Sequence, residues 1–165
     1  MKKFLLLSSL VAFVVSSACA QERKSPHETV EGKGVKVTYG RPYKKNREIF
    51  GKLEPYGKVW RVGADEATEV TFARDMNFGG KPIKAGTYTM FVIPNEKEWT
   101  VILNSQLGQW GAFSYDKNKD KDVLKVNVPV KNLSSPIEQH TIRFDNKNAM
   151  IIEWDKTQVT VPIAG

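Results

Sequence analysis

The stretch GTYTMFVIPNEKEWTVILN, Gly86 to Asn104, decides the fold. Tyr88, Met90 and Val92 recur at period two, and Thr89, Phe91 and Ile93 fill the alternate positions. Successive side chains of a strand point to opposite faces, so this strand is largely apolar on both. Such a strand is expected to be central and covered on both sides. Pro94-Asn95-Glu96-Lys97 is turn chemistry, and Trp99, Val101 and Leu103 resume the alternation. Residues 86–104 are therefore expected to form an antiparallel hairpin.

The same period extends outward in both directions. Upstream, Val35, Val37 and Tyr39 alternate with Lys36 and Thr38, and Val70 and Phe72 with Glu69 and Thr71. Gly79-Gly80 joins Met76-Asn77-Phe78 to Lys81-Pro82-Ile83 as a tight hairpin. Downstream, strands are expected through Leu124–Val130, His140–Phe144, Met150–Trp154 and Val159–Ile163. Pro129 marks an edge or a strand end, because proline cannot donate to a ladder. Asp145-Asn146-Lys147-Asn148 and Asp155-Lys156 read as the last two turns. Only Arg47 to Leu53 suggests a helical turn, and Tyr115 to Asp122 reads as a mobile charged loop. Roughly eight to ten short strands in one domain predict an all-β fold with little or no helix. The expected architecture is an antiparallel β-sandwich of jelly-roll-like character.

Residues 1–20 are read apart from that domain. Lys2 and Lys3 precede the apolar run Phe4 to Val15, and Ala18-Cys19-Ala20 fits a small-x-small cleavage site between Ala20 and Gln21. The expected organisation is a signal peptide over 1–20, a flexible segment over 21–33 and a single β-sandwich domain over 34–165. Export to the periplasm or the medium follows. A second processing route also fits. Cys19 stands where a lipoprotein signal is acylated, although Ser16 occupies a position where an aliphatic residue is usual. A membrane association is expected only by that route. Neither route leaves an intramolecular disulfide, since Cys19 is the single cysteine.

The whole chain carries a formal charge of +7, and loss of Lys2 and Lys3 lowers it to +5. Its lysines are scattered among acidic residues, with no basic, aromatic-interleaved element, so nucleic acid is not an expected partner. Asp116 to Asp122 lacks the central Gly and terminal Glu of a calcium loop. His27 and His140 are the only histidines and have no ligand spacing, so no metal or cofactor is expected. His140 is expected to be packed or hydrogen-bonded. A nucleophile elbow of the Gly-x-Ser-x-Gly type is absent, and the reading leans away from an enzyme.

One stretch stands out for chemistry. In KVWRVGADEATEVTF, Lys58 to Phe72, two alternating runs, Lys58–Val62 and Thr68–Phe72, read as strands and flank Gly63-Ala64-Asp65-Glu66-Ala67, a loop with adjacent carboxylates. One carboxylate is expected to pin loop N–H groups and the other to pair with Arg61 or Arg41. Upstream lie Tyr39, Arg41, Tyr43, Arg47, Tyr56, Trp60 and Arg61, and downstream Trp110. Aromatic faces with arginines and acids bind sugars or planar ligands by stacking plus polar orientation. The candidate ligand-binding residues are Arg41, Arg47, Trp60, Arg61, Asp65, Glu66 and Trp110. The expected function is an exported binding domain for a small polar molecule or glycan. Two alternatives stay open: a periplasmic hydrolase using Glu66 with Asp65 or His27, and an envelope structural or assembly factor that binds another protein.

Tyr39-Gly40-Arg41-Pro42, Arg47-Glu48-Ile49-Phe50-Gly51 and Pro55 to Thr68 resemble the bacterial domain-of-unknown-function family 2911. The likeness continues through Ala85-Gly86-Thr87-Tyr88, Ile93-Pro94, Glu98-Trp99-Thr100 and Trp110-Gly111-Ala112-Phe113, over about residues 25–163. The resemblance implies an exported protein of Gram-negative bacteria with no agreed activity. It marks Arg41, Arg47, Trp60, Arg61 and Glu66 as motif positions. This chain has Asp65 where the family usually has Asn.

Overall fold

A computed structural model describes residues 21–165. The expected signal peptide, with Cys19 and Ala20, lies outside the described residues. Ten strands form in chain order: β1 His27–Gly32, β2 Val35–Gly40, β3 Glu69–Phe72, β4 Met76–Phe78, β5 Lys81–Ile83, β6 Gly86–Ile93, β7 Glu98–Asn104, β8 Asp122–Phe144, β9 Met150–Val161 and β10 Ile163–Ala164. The only α-helix among the described residues is one turn, α1 Tyr115–Asn118, followed by a 3-10 turn. No helix there is long and apolar enough to cross a membrane.

The fold is all-β and antiparallel, as expected. Seven strands join in the order β1-β2-β3-β6-β7-β8-β9, and β10-β4-β5 make a small second sheet. The large sheet rolls until it is nearly closed. Its two ends are tied by side chains: the Tyr39 hydroxyl donates to the Ile142 carbonyl and accepts from the Ile142 N–H. The Asn148 amide meets the Lys33 backbone in the same way. The expected 86–104 hairpin is β6 and β7, at the middle of the sheet. Met90 and Val92 enter the main core, while Phe91 and Ile102 pack on the opposite face under Tyr115. Both faces of β6 are therefore covered.

Several local expectations are corrected. The segment 21–33 is not loose throughout, because His27–Gly32 pairs along its whole length with β2. Lys58–Val62 makes no strand, only a bridge between Trp60 and Val92. Val62 turns left-handed at φ 59°, which ends extended pairing. Arg47–Leu53 forms turns rather than a helix; left-handed Lys45 and Asn46 precede it and left-handed Gly51 interrupts it. Tyr115–Asp122 is ordered, since Tyr115 is buried and its hydroxyl donates to Asp122. Leu124–Val130 and His140–Phe144 belong to one strand that bulges between Asn132 and Thr141. Asp155 is no turn; it sits left-handed opposite that bulge, inside β9. Pro129 does mark a ladder end. It faces Glu98, the last pair with β7, and pairing with β9 starts at Val130.

Candidate functional site

Residues 41–68 carry the chain from β2 to β3 without a regular strand, across one end of the rolled sheet. Apolar anchors hold them there. Ile49, Phe50, Trp60 and Val62 are all buried in the main core. Phe50, Trp60, Trp99 and Trp154 form one aromatic cluster, with Trp60 stacked on Trp154 at 6.1 Å. His140 closes the cluster edge-on to Trp60 at 5.1 Å. Its ring is fully buried and neither nitrogen finds a partner. Burial pulls its pKa down to about 3, so the ring is neutral and apolar in role.

The Tyr39-Gly40-Arg41-Pro42 and Gly63-Ala64 motifs meet at this end. Gly40 packs against the backbone of Gly63 and Ala64 with no room for a side chain on either glycine. The loop between Arg61 and Glu66 is tightly determined. Val62 and Asp65 are both left-handed, at φ 59° and 64°. The Thr68 hydroxyl donates to the Val62 carbonyl at 2.8 Å and holds the first of these in place. Non-glycine residues keep such conformations only where their surroundings enforce them.

Asp65 is the pin of this loop, and its carboxylate reaches outside it. Oδ2 accepts the backbone N–H groups of Lys24 and Ser25 at 3.1 and 3.0 Å. Burial would raise its pKa, but those N–H donors and His27 outweigh it and hold the carboxyl below its ordinary value. Glu66 pairs with neither Arg61 nor Arg41. Its Oε1 accepts from Arg23 at 2.7 Å. His27 Nε2 lies 3.5 Å from Asp65 Oδ2 and 3.3 Å from Glu66 Oε2. Adjacent carboxylates thus converge on one imidazole because Asp65 is left-handed. Residues 23–27 form a strap laid across the loop, and Arg41 N–H fixes it further by donating to the Pro26 carbonyl.

Two cavities flank the strap. The larger, of about 430 Å³, has walls from the strap, from Tyr43 to Arg47, from Leu53 and Glu54, and from Arg61 to Asp65. It brings together three of the expected site residues, Arg47, Arg61 and Asp65. Arg61 is aimed by its Nε bond to the Gly63 carbonyl at 3.3 Å. Arg47 is braced by the Tyr43 and Lys44 carbonyls. Glu54 was not among the expected residues. Burial pushes its carboxyl up to about 7, against the pull of the Arg61 and Arg47 charges. The smaller cavity, of about 240 Å³, lies on the other side of the strap and is lined by Arg23, His27, Tyr39, Glu66 and Glu69 among others.

The remaining expected residues do not line the larger cavity. Trp60 is 2% exposed and cannot stack on a ligand. Arg41 is spent on structure: it pairs with Glu28 at 2.7 Å and donates to His140 and Thr141. Glu66 faces the smaller cavity. Trp110 is half-buried and its backbone bridges to Glu66, outside both cavities. Among the described residues no group of three or more His, Cys, Asp or Glu side chains is placed to hold a metal ion.

A family model described as a protein of unknown function (DUF2911) matches residues 21–163. No curated protein and no solved structure matches the chain.

Proposed function

The chain belongs to the DUF2911 family of proteins of unknown function, and from that premise we propose that it is an exported binding domain for a small polar molecule. The ligand occupies the larger cavity beside the strap. One observation carries this reading: a cavity of about 430 Å³ gathers Arg47, Arg61 and Asp65 from segments far apart in sequence. That volume falls in the range of small-molecule sites, roughly 300 to 1,000 Å³. Tyr43 and Leu53 supply apolar wall, and the arginines supply orientation. The leader-like pattern of residues 1–20 supports export.

A thermal-shift screen tests the reading, with glycans, nucleotides, amino acids and small acids offered to the full chain. A ligand at a hundred times its Kd adds about 2.7 kcal/mol of stability. That corresponds to a shift of several degrees in a domain of this size. A shift that disappears on Arg61→Gln, in a variant that still folds, places the ligand in the cavity. A shift indifferent to both Arg61 and Arg47 sinks the reading.

The smaller cavity supports a second reading, a hydrolase. There Nε2 of His27 faces the Asp65 and Glu66 carboxylates, and Nε2 and Glu66 Oε2 are buried without a well-aligned hydrogen bond. An imidazole and a carboxylate at a cavity wall are the parts of a general base for water. A bell-shaped pH–rate profile that collapses in Glu66→Gln would carry this reading. No turnover across glycan, ester and peptide substrates would end it.

A further inference from the structure

We propose that the larger cavity takes a ligand bearing an oxyanion, a carboxylate or a phosphate or sulfate group, held by cationic side chains that the fold leaves unpaired. This rests on the reading of that cavity as a binding site and names the chemical class of its ligand.

Four cations line the cavity: Lys24, Lys45, Arg47 and Arg61. Among the described residues none of the four takes part in an ion pair. Elsewhere Arg23, Arg41, Lys44, Lys84, Lys125 and Arg143 all do. Two carboxyl groups share the cavity and neither neutralises the cations. Asp65 is engaged by the Lys24 and Ser25 N–H groups and by His27, on the strap side. The Glu54 carboxyl lies near enough to feel Arg47 and Arg61, yet among the described residues that carboxyl takes part in no hydrogen bond or ion pair. Like charges gathered in a concave, partly desolvated site create a field that favours an anion.

The arginines are also prepared for the task. Guanidinium groups match the planar or tetrahedral oxygens of such ligands bidentately. Arg61 is held by the Gly63 carbonyl and Arg47 by the turn carbonyls of Tyr43 and Lys44, so little side-chain freedom is left to lose on binding. Tyr43 and Leu53, 42% and 40% exposed, stand at the rim, where an organic portion of the ligand would lie.

The groups lining the cavity around Glu54 are Arg47, Arg61, Lys24, Lys45, Tyr43 and Asp65. An ionised Glu54 repels an anion and a protonated one does not. Binding therefore tightens as pH falls through about 7, the value to which burial raises Glu54.

Titration calorimetry of the full chain at low ionic strength tests this with sulfate, benzoate and glucose. None of these probes titrates near neutral pH. The expected result is one saturable site for sulfate or benzoate and none for glucose. Arg61→Gln and Arg47→Gln each weaken it about tenfold or more, whereas Lys119→Gln, an exposed cation elsewhere, leaves it unchanged. Tighter benzoate points to a carboxylate ligand, and tighter sulfate to a phosphate or sulfate ester. The acid-side tightening should vanish in Glu54→Gln, whose affinity at pH 8 exceeds that of the parent. Circular dichroism checks that each variant folds, and either arginine variant alone suffices. Glucose binding without anion binding would overturn this inference and leave the binding-site reading standing. Anion binding equally sensitive to Lys119→Gln would mean diffuse surface charge and would overturn the inference too. No heat with any probe removes the inference, and no shift in the wider thermal screen removes the binding-site reading with it.

Discussion

Gly40 and Gly63 cross at backbone contact. A Cβ on Gly63 would stand 2.6 Å from the Gly40 carbonyl oxygen, and one on Gly40 would stand 2.2 Å from the Ala64 carbonyl oxygen. Neither obstacle is a flexible side chain, so neither can move aside cheaply. This crossing locks the end of β2 to the loop that carries Arg61 and Asp65. Gly40→Ala is expected to cost more than about 2 kcal/mol, the scale of a core overpacking that shifts backbone. Gly57→Ala is the control: its φ is 73° but nothing lies within 4 Å, so strain alone costs about 1 kcal/mol. Urea unfolding of both variants checks the ranking, and equal losses would contradict a backbone crossing.

Asp65 supports the strap at two N–H groups, so its removal should act on residues 23–27 before it acts on the sheet. Asp65→Ala leaves the Lys24 and Ser25 donors partnerless, at about 1–3 kcal/mol. The expected sign is faster hydrogen exchange at those two amides and faster tryptic cleavage after Arg23 and Lys24. The pH sense follows from the depressed pKa of Asp65. Its contribution is complete above the unfolded carboxyl value and fades as pH falls through the lower folded value. The protection of the strap amides, measured against their intrinsic exchange rates at each pH, should therefore fall in acid in the parent and stay low at every pH in the alanine variant.

Trp60 illustrates where sequence reading of the site parted from the structure. Its neighbours Arg61, Asp65 and Glu66 are polar, and the family-like motif makes it conspicuous, yet it lies in the core beneath Phe50, Trp99 and Trp154. Truncation to alanine should cost roughly 3–5 kcal/mol, as large aromatic deletions in cores do. Trp60→Phe should cost much less and leave ligand responses intact. A phenylalanine variant that is stable but has lost all ligand response would return Trp60 to the site.

The strands were legible because period-two alternation survives wherever one face is buried. Val35 to Tyr39 and Gly86 to Asn104 both form as the alternation predicts. Tertiary contacts decided what alternation could not. Lys58 to Val62 alternates as well as β3 does, but left-handed Val62 and the Gly40 crossing pull it out of the ladder. His27 to Gly32 has a weak pattern, because its exposed face is polar and its other face only half-buried, yet pairing with β2 and the Asp65 pin order it. Within the site, a carboxylate of the Asp65-Glu66 pair accepting backbone N–H groups was legible from residue type, but not that Asp65 is the one, nor that the donors belong to Lys24 and Ser25 of the strap and not to its own loop. Glu54 was not, because a lone glutamate between Leu53 and Pro55 carries no motif and only the fold places it near Arg47 and Arg61.

Glu54 and His140 make opposite demands on pH, and the opposition is measurable. Glu54 has its pKa raised by burial to about 7 from 4.5. The native state then binds a proton that the unfolded chain has released between those values, so this group adds stability as pH falls through 7. His140 has its pKa lowered by burial from 6.5 to about 3. Between those values the unfolded chain holds the extra proton, so stability is complete above 6.5 and is lost as pH falls. Each unbalanced proton gives a slope of about 1.4 kcal/mol per pH unit. The two slopes cancel over the shared window, and the parent should be nearly flat between about pH 5 and 6.5 as far as these two groups go. Glu54→Gln removes one slope: that variant gains about 1–3 kcal/mol at pH 8 and loses stability steadily on acidification. His140→Phe keeps the aromatic cluster filled and removes the other, so it grows more stable from pH 7 to 5. Urea midpoints for the parent and both variants at pH 5, 6, 7 and 8 read these slopes directly. Parallel pH profiles for all three chains would mean that neither group titrates as its burial dictates.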